Sequence, residues 1–272
     1  MLEPNQDREA LAWQTGVWDR MSEVYFQEVD QRFAPVVEAL IQRAALRAGE
    51  LVLDLGTGTG AVARRAAAAV GPTGRVIGVD ISREMLAVAQ RTITRSGVDN
   101  ITLIEGRAEA IPAEDATFDA VLASLSMMYV IDREAAVRQI ARVLKPRGRF
   151  VAAVWGGPEQ CDIVLFQQTV GRFAGLPPVA GVGPGALASA SVLLQQLQGV
   201  GIEATVEHEA FGFDFPDFTS AWDTLAGVTA AQLPPERREE AMAAARTAMN
   251  WSTDGPRHFR NDTQFIVGRA NR

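Results

Sequence analysis

The sequence predicts a doubly wound α/β fold: a mostly parallel sheet with antiparallel C-terminal strands, plus helical insertions that form a lid. Three observations carry this expectation. Short apolar runs alternate with helical stretches between residues 50 and 155, and strand-helix-strand at that rhythm makes right-handed crossover units. The runs are almost continuously apolar, as strands buried on both faces are. Beyond them lie an alternating stretch, "IEATVEHEAFGFDF", and a short apolar run, "QFIVGR", which suggest two antiparallel strands completing the sheet.

Taken in order, residues 8–47 read as helical. Leu11, Trp18, Met21, Val29, Val36, Val37, Leu40 and Ile41 fall at mixed spacings of three and four, and "RAGE" with its Gly49 closes the stretch. "ELVLDL" is the first strand, "GTGTG" a tight loop, and "AVARRAAAAV" a helix ending at Gly71-Pro72. "RVIGVD" leads into "SREMLAVAQRTITRSG", where Met85, Leu86, Ala89 and Ile93 share one helical face and Gly97 stops the helix. "ITLIEG" and "FDAVLAS" are strands; "REAAVRQIARVL", capped by Asp132, is a helix; "GRFVAAVW" is the next strand. Past Trp155 the chain turns rich in Gly and Pro. Helices are expected near 161–173 and 186–199, separated by "GLPPVAGVGPG", and again at "FTSAWDTLAG" and "PERREEAMAAARTAM".

The chain has 272 residues, 47% hydrophobic and 22% charged, an ordinary balance for a globular protein that buries a sizeable core. A net charge of -7 argues against a nucleic-acid surface, which needs clustered Lys and Arg. No window holds the roughly 18 uninterrupted apolar residues of a membrane span, and "MLEPNQDREALAW" lacks a basic segment followed by an apolar block, so a cytoplasmic protein is expected. Cys161 cannot pair internally, and two histidines with one cysteine supply no zinc ligand set.

The loop "LDLGTGTG" raises the functional question. Gly56, Gly58 and Gly60 let a ligand approach main-chain atoms that a side chain would screen. With Ala61 in the sixth place, "GTGTGA" also satisfies the dinucleotide fingerprint, and Asp80 lies near the distance expected of a ribose-binding carboxylate, so a nicotinamide-dependent oxidoreductase is one reading. Asp54 weighs against it. A carboxylate two residues before the first glycine would point at the cleft mouth and repel a pyrophosphate. A ligand without phosphate that carries an ammonium group would welcome it, and S-adenosylmethionine is such a ligand.

In order and rough spacing, "LDLGTGTG", "VIGVDIS", "GRAEAIP", "FDAVLAS" and "RVLKPRGRF" resemble the class I S-adenosylmethionine-dependent methyltransferases, most of all the ubiquinone/menaquinone-biosynthesis type. The resemblance covers about residues 45–155. It implies a Rossmann-like methyltransferase sheet within a single domain spanning 1–272. That domain divides into an N-terminal helical cover (1–47), a cofactor-binding core (48–156), substrate-side insertions (157–256) and a final strand (257–272). It implies S-adenosylmethionine as cofactor and S-adenosylhomocysteine as product. Asp54 would orient the methionine amino group, directly or through water. Gly56, Thr57, Gly58 and Gly60 would form the loop beneath it, and Asp80 would accept both ribose hydroxyls. Ile81 and Met85 would pack on adenine, although Met85 is equally well read as core. In "EGRAEAIP" the family often has Asp or Asn where this chain has Arg107; arginine cannot accept the adenine amino proton, which passes that contact to Ala108 or Glu109. Arg147 stands where the family commonly has glycine.

Ser124 and Leu125 end the fourth strand and would lie beside the methionine portion, with Met127, Met128 and Tyr129 turned toward the acceptor, although the two methionines are equally well read as packing under a helix. Trp18, Tyr25 and Phe26 are candidate lid aromatics or, nearly as well, core residues. Tyr129 and His258 are the candidate proton acceptors, each also readable as structural. The acceptor is expected to be a small apolar or aromatic molecule under residues 156–256, lined partly by Phe166, Phe173, Phe211, Phe213 and Trp222. A non-catalytic S-adenosylmethionine-binding protein is the remaining reading.

Overall fold

The computed structural model describes residues 4–174, 181–226, 230 and 233–271. Helix α1 (Pro4–Val24) passes through one wide π turn (Tyr25–Val29) into α2 (Asp30–Ala44). On α2, Phe33, Val36, Val37, Leu40 and Ala44 are buried, the spacing of a single apolar stripe, and Ala45 ends the helix with φ +46. Then come β1 (Leu51–Leu55), α3 (Ala61–Val70), β2 (Arg75–Asp80), α4 (Arg83–Ser96), β3 (Ile101–Glu105) and β4 (Phe118–Ser124). A short 3-10 turn (Met127–Tyr129) precedes α5 (Arg133–Val143) and β5 (Leu144–Trp155). The chain continues through α6 (Asp162–Gly171), α7 (Ser191–Gly199), β6 (Ile202–Phe215), α8 (Phe218–Leu225), α9 (Pro235–Ala248) and β7 (Arg257–Ala270).

The seven strands form one sheet in the order β3-β2-β1-β4-β5-β7-β6. β1 to β5 are parallel, and the two sheet halves depart from β1 in opposite directions, opening a crevice above the carboxyl ends of β1 and β4. β7 inserts antiparallel between β5 and β6, with Trp155 opposite Thr263 and Phe215 opposite Arg257. It begins well before the "QFIVGR" run, because its first half pairs with β6 beyond the end of β5. Polar Asn261, Thr263 and Gln264 are buried there and hide the strand's character from an apolar pattern. Asn261 Oδ1 accepts from the Ile163 N–H at 3.0 Å, and Gln264 Nε2 donates to the Leu187 carbonyl at 3.0 Å, so both amides are engaged, whereas the buried Thr263 hydroxyl has no partner.

Val52, Leu53, Val121, Leu122, Phe150 and Val151 form the centre of the core, all without exposed surface. Arg147 adopts φ +63, the left-handed region that a glycine would occupy at no cost. Six residues of the "GLPPVAGVGPG" stretch lie outside the described residues. Among the described residues no helix is long and apolar enough to cross a membrane.

Candidate functional site

The glycine loop is built by β2 as much as by β1. The N–H groups of Gly56 and Thr57 both donate to the Val79 carbonyl, at 2.8 and 3.0 Å, which folds the loop back over the second strand. Gly56 takes φ +76, and a Cβ there would lie 2.5 Å from Ser126 Cβ. Ser126 is fixed in turn, since its hydroxyl donates to the Leu55 carbonyl at 2.7 Å. Gly58, at φ +52, differs: a Cβ there would meet nothing within 4 Å, so the backbone faces open space. Across β4, Leu125 holds a non-glycine φ of +54, with its N–H tied to the Ala153 carbonyl at 2.8 Å. Such strained residues gather at binding edges.

A cavity of about 1090 Å³, its open mouth included, occupies this crevice. Its floor is Leu55 to Thr59, Val79 to Ile81, Met85, Gly106, Ala108, Glu109 and Ser124 to Ser126. Leu11, Gln14 and Trp18 of α1, Tyr25, then Asp30, Phe33 and Val37 of α2 roof it, and Tyr129 to Ile131 close one side. The roof is tied down at several points. Gln14 Nε2 donates to the Tyr129 carbonyl. The Trp18 and Tyr129 rings meet edge to face at 4.8 Å. The Ser82 hydroxyl donates to Asp19 at 2.6 Å while accepting the Met85 N–H as the cap of α4.

Asp80 ends β2 at the cavity wall. One carboxylate oxygen accepts the Gly58 N–H at 2.8 Å and the other the Ser82 N–H at 2.9 Å. Because Ser82 caps the helix, Asp80 is released from that task. Burial raises its pKa, opposed by these backbone bonds. Glu109 also lines the cavity; it accepts the Asp132 N–H at 3.2 Å and pairs with Arg107 at 3.5 Å. Arg107 itself is not among the lining residues.

Several expectations are corrected. Asp54 does not point at the cleft mouth: it lies beneath the loop without exposed surface, its Oδ2 accepting the Thr57 hydroxyl at 2.6 Å and its Oδ1 unpartnered. Burial pushes its pKa up to about 7. β1 is flanked by β2 and β4, and its side chain at this register turns under the loop rather than over it. His258 lies on β7 outside the cavity, largely exposed and paired with Asp214 at 2.9 Å across β6. Its strand does reach the right end of the sheet, but two strands away from the crevice. Met127 and Met128 are core residues without exposed surface. Phe26 does not line the cavity.

Among the described residues, none that lines the cavity comes from 156–256. Phe166 packs against Phe218, Trp222 and Phe259, and Phe213 stacks on Phe259 at 6.0 Å and touches Phe33 at 5.9 Å, as part of the continuous core. Phe211 sits against Phe265, and Phe173 lies under Arg237. The aromatic walls come instead from Trp18, Tyr25, Phe33 and Tyr129. Tyr129 does line the cavity, but burial holds its pKa far above neutrality, so the phenol is a donor and not a base. Sequence reading missed Asp30, Phe33 and Val37 as cavity residues. Their spacing of three and four marks one helical face, though a core stripe looks the same.

The crevice has a floor of glycine backbone with the Asp80 carboxylate at its wall, and among the described residues no basic side chain lines it. Residues 52–148 match the family described as a methyltransferase domain. The chain is similar to the ubiquinone/menaquinone biosynthesis C-methyltransferase UbiE of Hahella chejuensis, 36% identical over 138 residues, 50% of this chain and 55% of that one. The UbiE of Pasteurella multocida is 39% identical over 119 residues, 43% of this chain and 44% of that one. The chain thus spans about half the length of these relatives. Among solved structures the fold is shared with the YcgJ protein of Bacillus subtilis, at TM-score 0.63 and 23% identity over 87% of this chain and 98% of that one. It is also shared with the (4+2) cyclase SpnF, at TM-score 0.59 and 22% identity over 88% and 81%.

The residues present fit S-adenosylmethionine. Gly58 offers bare backbone to a ligand, Asp80 keeps unused acceptor positions on both oxygens, and Ile81 and Met85 supply an apolar face beside Ala108.

Proposed function

We propose that this chain transfers a methyl group from S-adenosylmethionine to a small, apolar or aromatic acceptor bound beneath α1 and α2. The observation that carries the reading is the continuity of the cavity: the nucleoside floor at Asp80 and Gly58 runs directly into a chamber walled by Trp18, Tyr25, Phe33, Val37 and Tyr129. When bound, S-adenosylmethionine supplies a sulfonium methyl open to in-line displacement.

The chain's own residues do the rest. Asp80, with Ile81, Met85, Ala108 and Glu109, holds the nucleoside, and Gly56, Thr57, Gly58, Gly60 and Ser124 shape the backbone beneath the tail. Asp54 acts from below by bracing Thr57. The roof helices exclude water and align the acceptor, an effect worth about 7–11 kcal/mol in well-oriented systems. The phenols of Tyr25 and Tyr129, both held protonated by burial, can donate hydrogen bonds to a ring oxygen of the acceptor. The reading takes the chain as one unit, places it in the cytoplasm in keeping with a buried free cysteine, and excludes nucleic acid as acceptor because of the acidic charge.

The test is calorimetric titration with S-adenosylhomocysteine and with NAD, followed by incubation with labelled S-adenosylmethionine and a panel of ring acceptors that includes ubiquinone and menaquinone precursors. Binding of the first ligand and label on a ring acceptor are expected. Binding of NAD alone would overturn the reading, and cofactor binding without transfer to any acceptor would favour a non-catalytic role.

A further inference from the structure

Three carboxylates line the cavity, Asp30, Asp80 and Glu109, and they are held in different ways. Asp80 is held by two backbone N–H groups, and Glu109 by Asp132 and Arg107. Asp30 stands at the first turn of α2, on the helical face it shares with Phe33 and Val37, and leans from the roof onto the glycine loop. Both of its oxygens lie 2.8 Å from the Thr59 hydroxyl, which has one proton and can serve one oxygen at a time. Among the described residues no cation lies within ion-pairing distance of it. Arg64 donates to the Thr59 carbonyl at 3.0 Å and its charge reaches Asp30 without forming an ion pair.

Resting on the methyltransferase reading, we propose that Asp30, and not Asp54, receives the ammonium group of the cofactor's amino-acid tail. Of the three cavity carboxylates, two touch the glycine loop, at consecutive residues: Asp80 at the Gly58 amide and Asp30 at the Thr59 hydroxyl. A nucleoside with a cationic tail meets a carboxylate at each. Asp54, the residue the motif singles out, has its free oxygen sealed under the loop. Desolvation lifts the Asp30 pKa to about 6, opposed by the Thr59 hydroxyl and the Arg64 charge.

The test compares two probes that share the nucleoside thioether: S-adenosylhomocysteine, which has the ammonium, and 5′-methylthioadenosine, which lacks the amino-acid tail. Each is titrated calorimetrically into the parent and into Asp30→Asn, which keeps an acceptor for Thr59. A lost charge-assisted bond should weaken S-adenosylhomocysteine by about ten- to a hundredfold and leave 5′-methylthioadenosine unchanged. Unchanged binding of S-adenosylhomocysteine overturns the proposal, and so does an equal loss of both probes, which would show a purely structural role. If the parent binds neither probe, the methyltransferase reading itself fails and takes the proposal with it.

Discussion

Gly56→Ala perturbs the loop at the point where strand, ligand floor and neighbouring turn meet. The added methyl falls 2.5 Å from Ser126 Cβ and 3.0 Å from its Oγ. Ser126 has little room to yield, because its hydroxyl is bound to the Leu55 carbonyl. Two costs add. A side chain at φ +76 costs about 1–2 kcal/mol relative to glycine, and overpacking at a fixed contact costs about 1–3 kcal/mol. The sum is about 2–5 kcal/mol, and at roughly 2–4 °C per kcal/mol for a chain of this size the melting temperature should fall on the order of 10 °C. Scanning calorimetry without ligand measures it. A mutant cycle separates the two costs: Ser126→Gly removes the clash but not the backbone strain, so Gly56→Ala and Ser126→Gly should couple favourably by about 1 kcal/mol or more. A single variant that melts with the parent, or a cycle with no coupling, refutes the account.

Further consequences can be read from other positions. Asp80→Asn should weaken S-adenosylhomocysteine by roughly two orders of magnitude, since bonds to a charged acceptor are worth about 1.5–3 kcal/mol each; parent-like affinity in calorimetry would remove Asp80 from the nucleoside site. Asp54 has a folded pKa of about 7, raised above its unfolded value. Its contribution is therefore most favourable at acid pH and is lost as pH rises toward and through 7. Asp54→Asn should flatten that part of the stability profile in urea titrations from pH 5 to 8, and an unchanged slope would sink the assignment. His258→Ala should alter neither cofactor affinity nor turnover, and a loss of turnover with binding intact would return the histidine to the site.

The crossover core was legible because its rules are local. Strands buried on both faces are written as short apolar runs, and glycines at 56, 58 and 60 announce a loop with positive φ. The crevice followed from topology, and Asp80 with it. What stayed hidden depended on which side of a shared surface a residue faces. Phe166 and Phe213 have the composition of a substrate wall, yet both pack on Phe259. Phe33 and Val37 carry the periodicity of a core stripe and nevertheless border the cavity. Asp54 and Asp30 differ in placement for the same reason: the motif puts the first within reach of the loop, but only the fold decides that it lies below and that Asp30 arrives from above. His258 attracted notice by scarcity, and scarcity says nothing about position.

One consequence follows from the placement of β7. Trp155 and Thr263 are sequence-distant but sit side by side in the sheet, and the stretch between them includes β6, the edge strand that returns to pair with β7. Closing a loop costs only about 0.6 kcal/mol more for each doubling of its length. The helical part of that excursion, α6 and α7 ahead of β6, can thus lengthen or shrink at little cost, whereas β6 is held in place by Arg43 of α2, which pairs with Glu207 and Glu209.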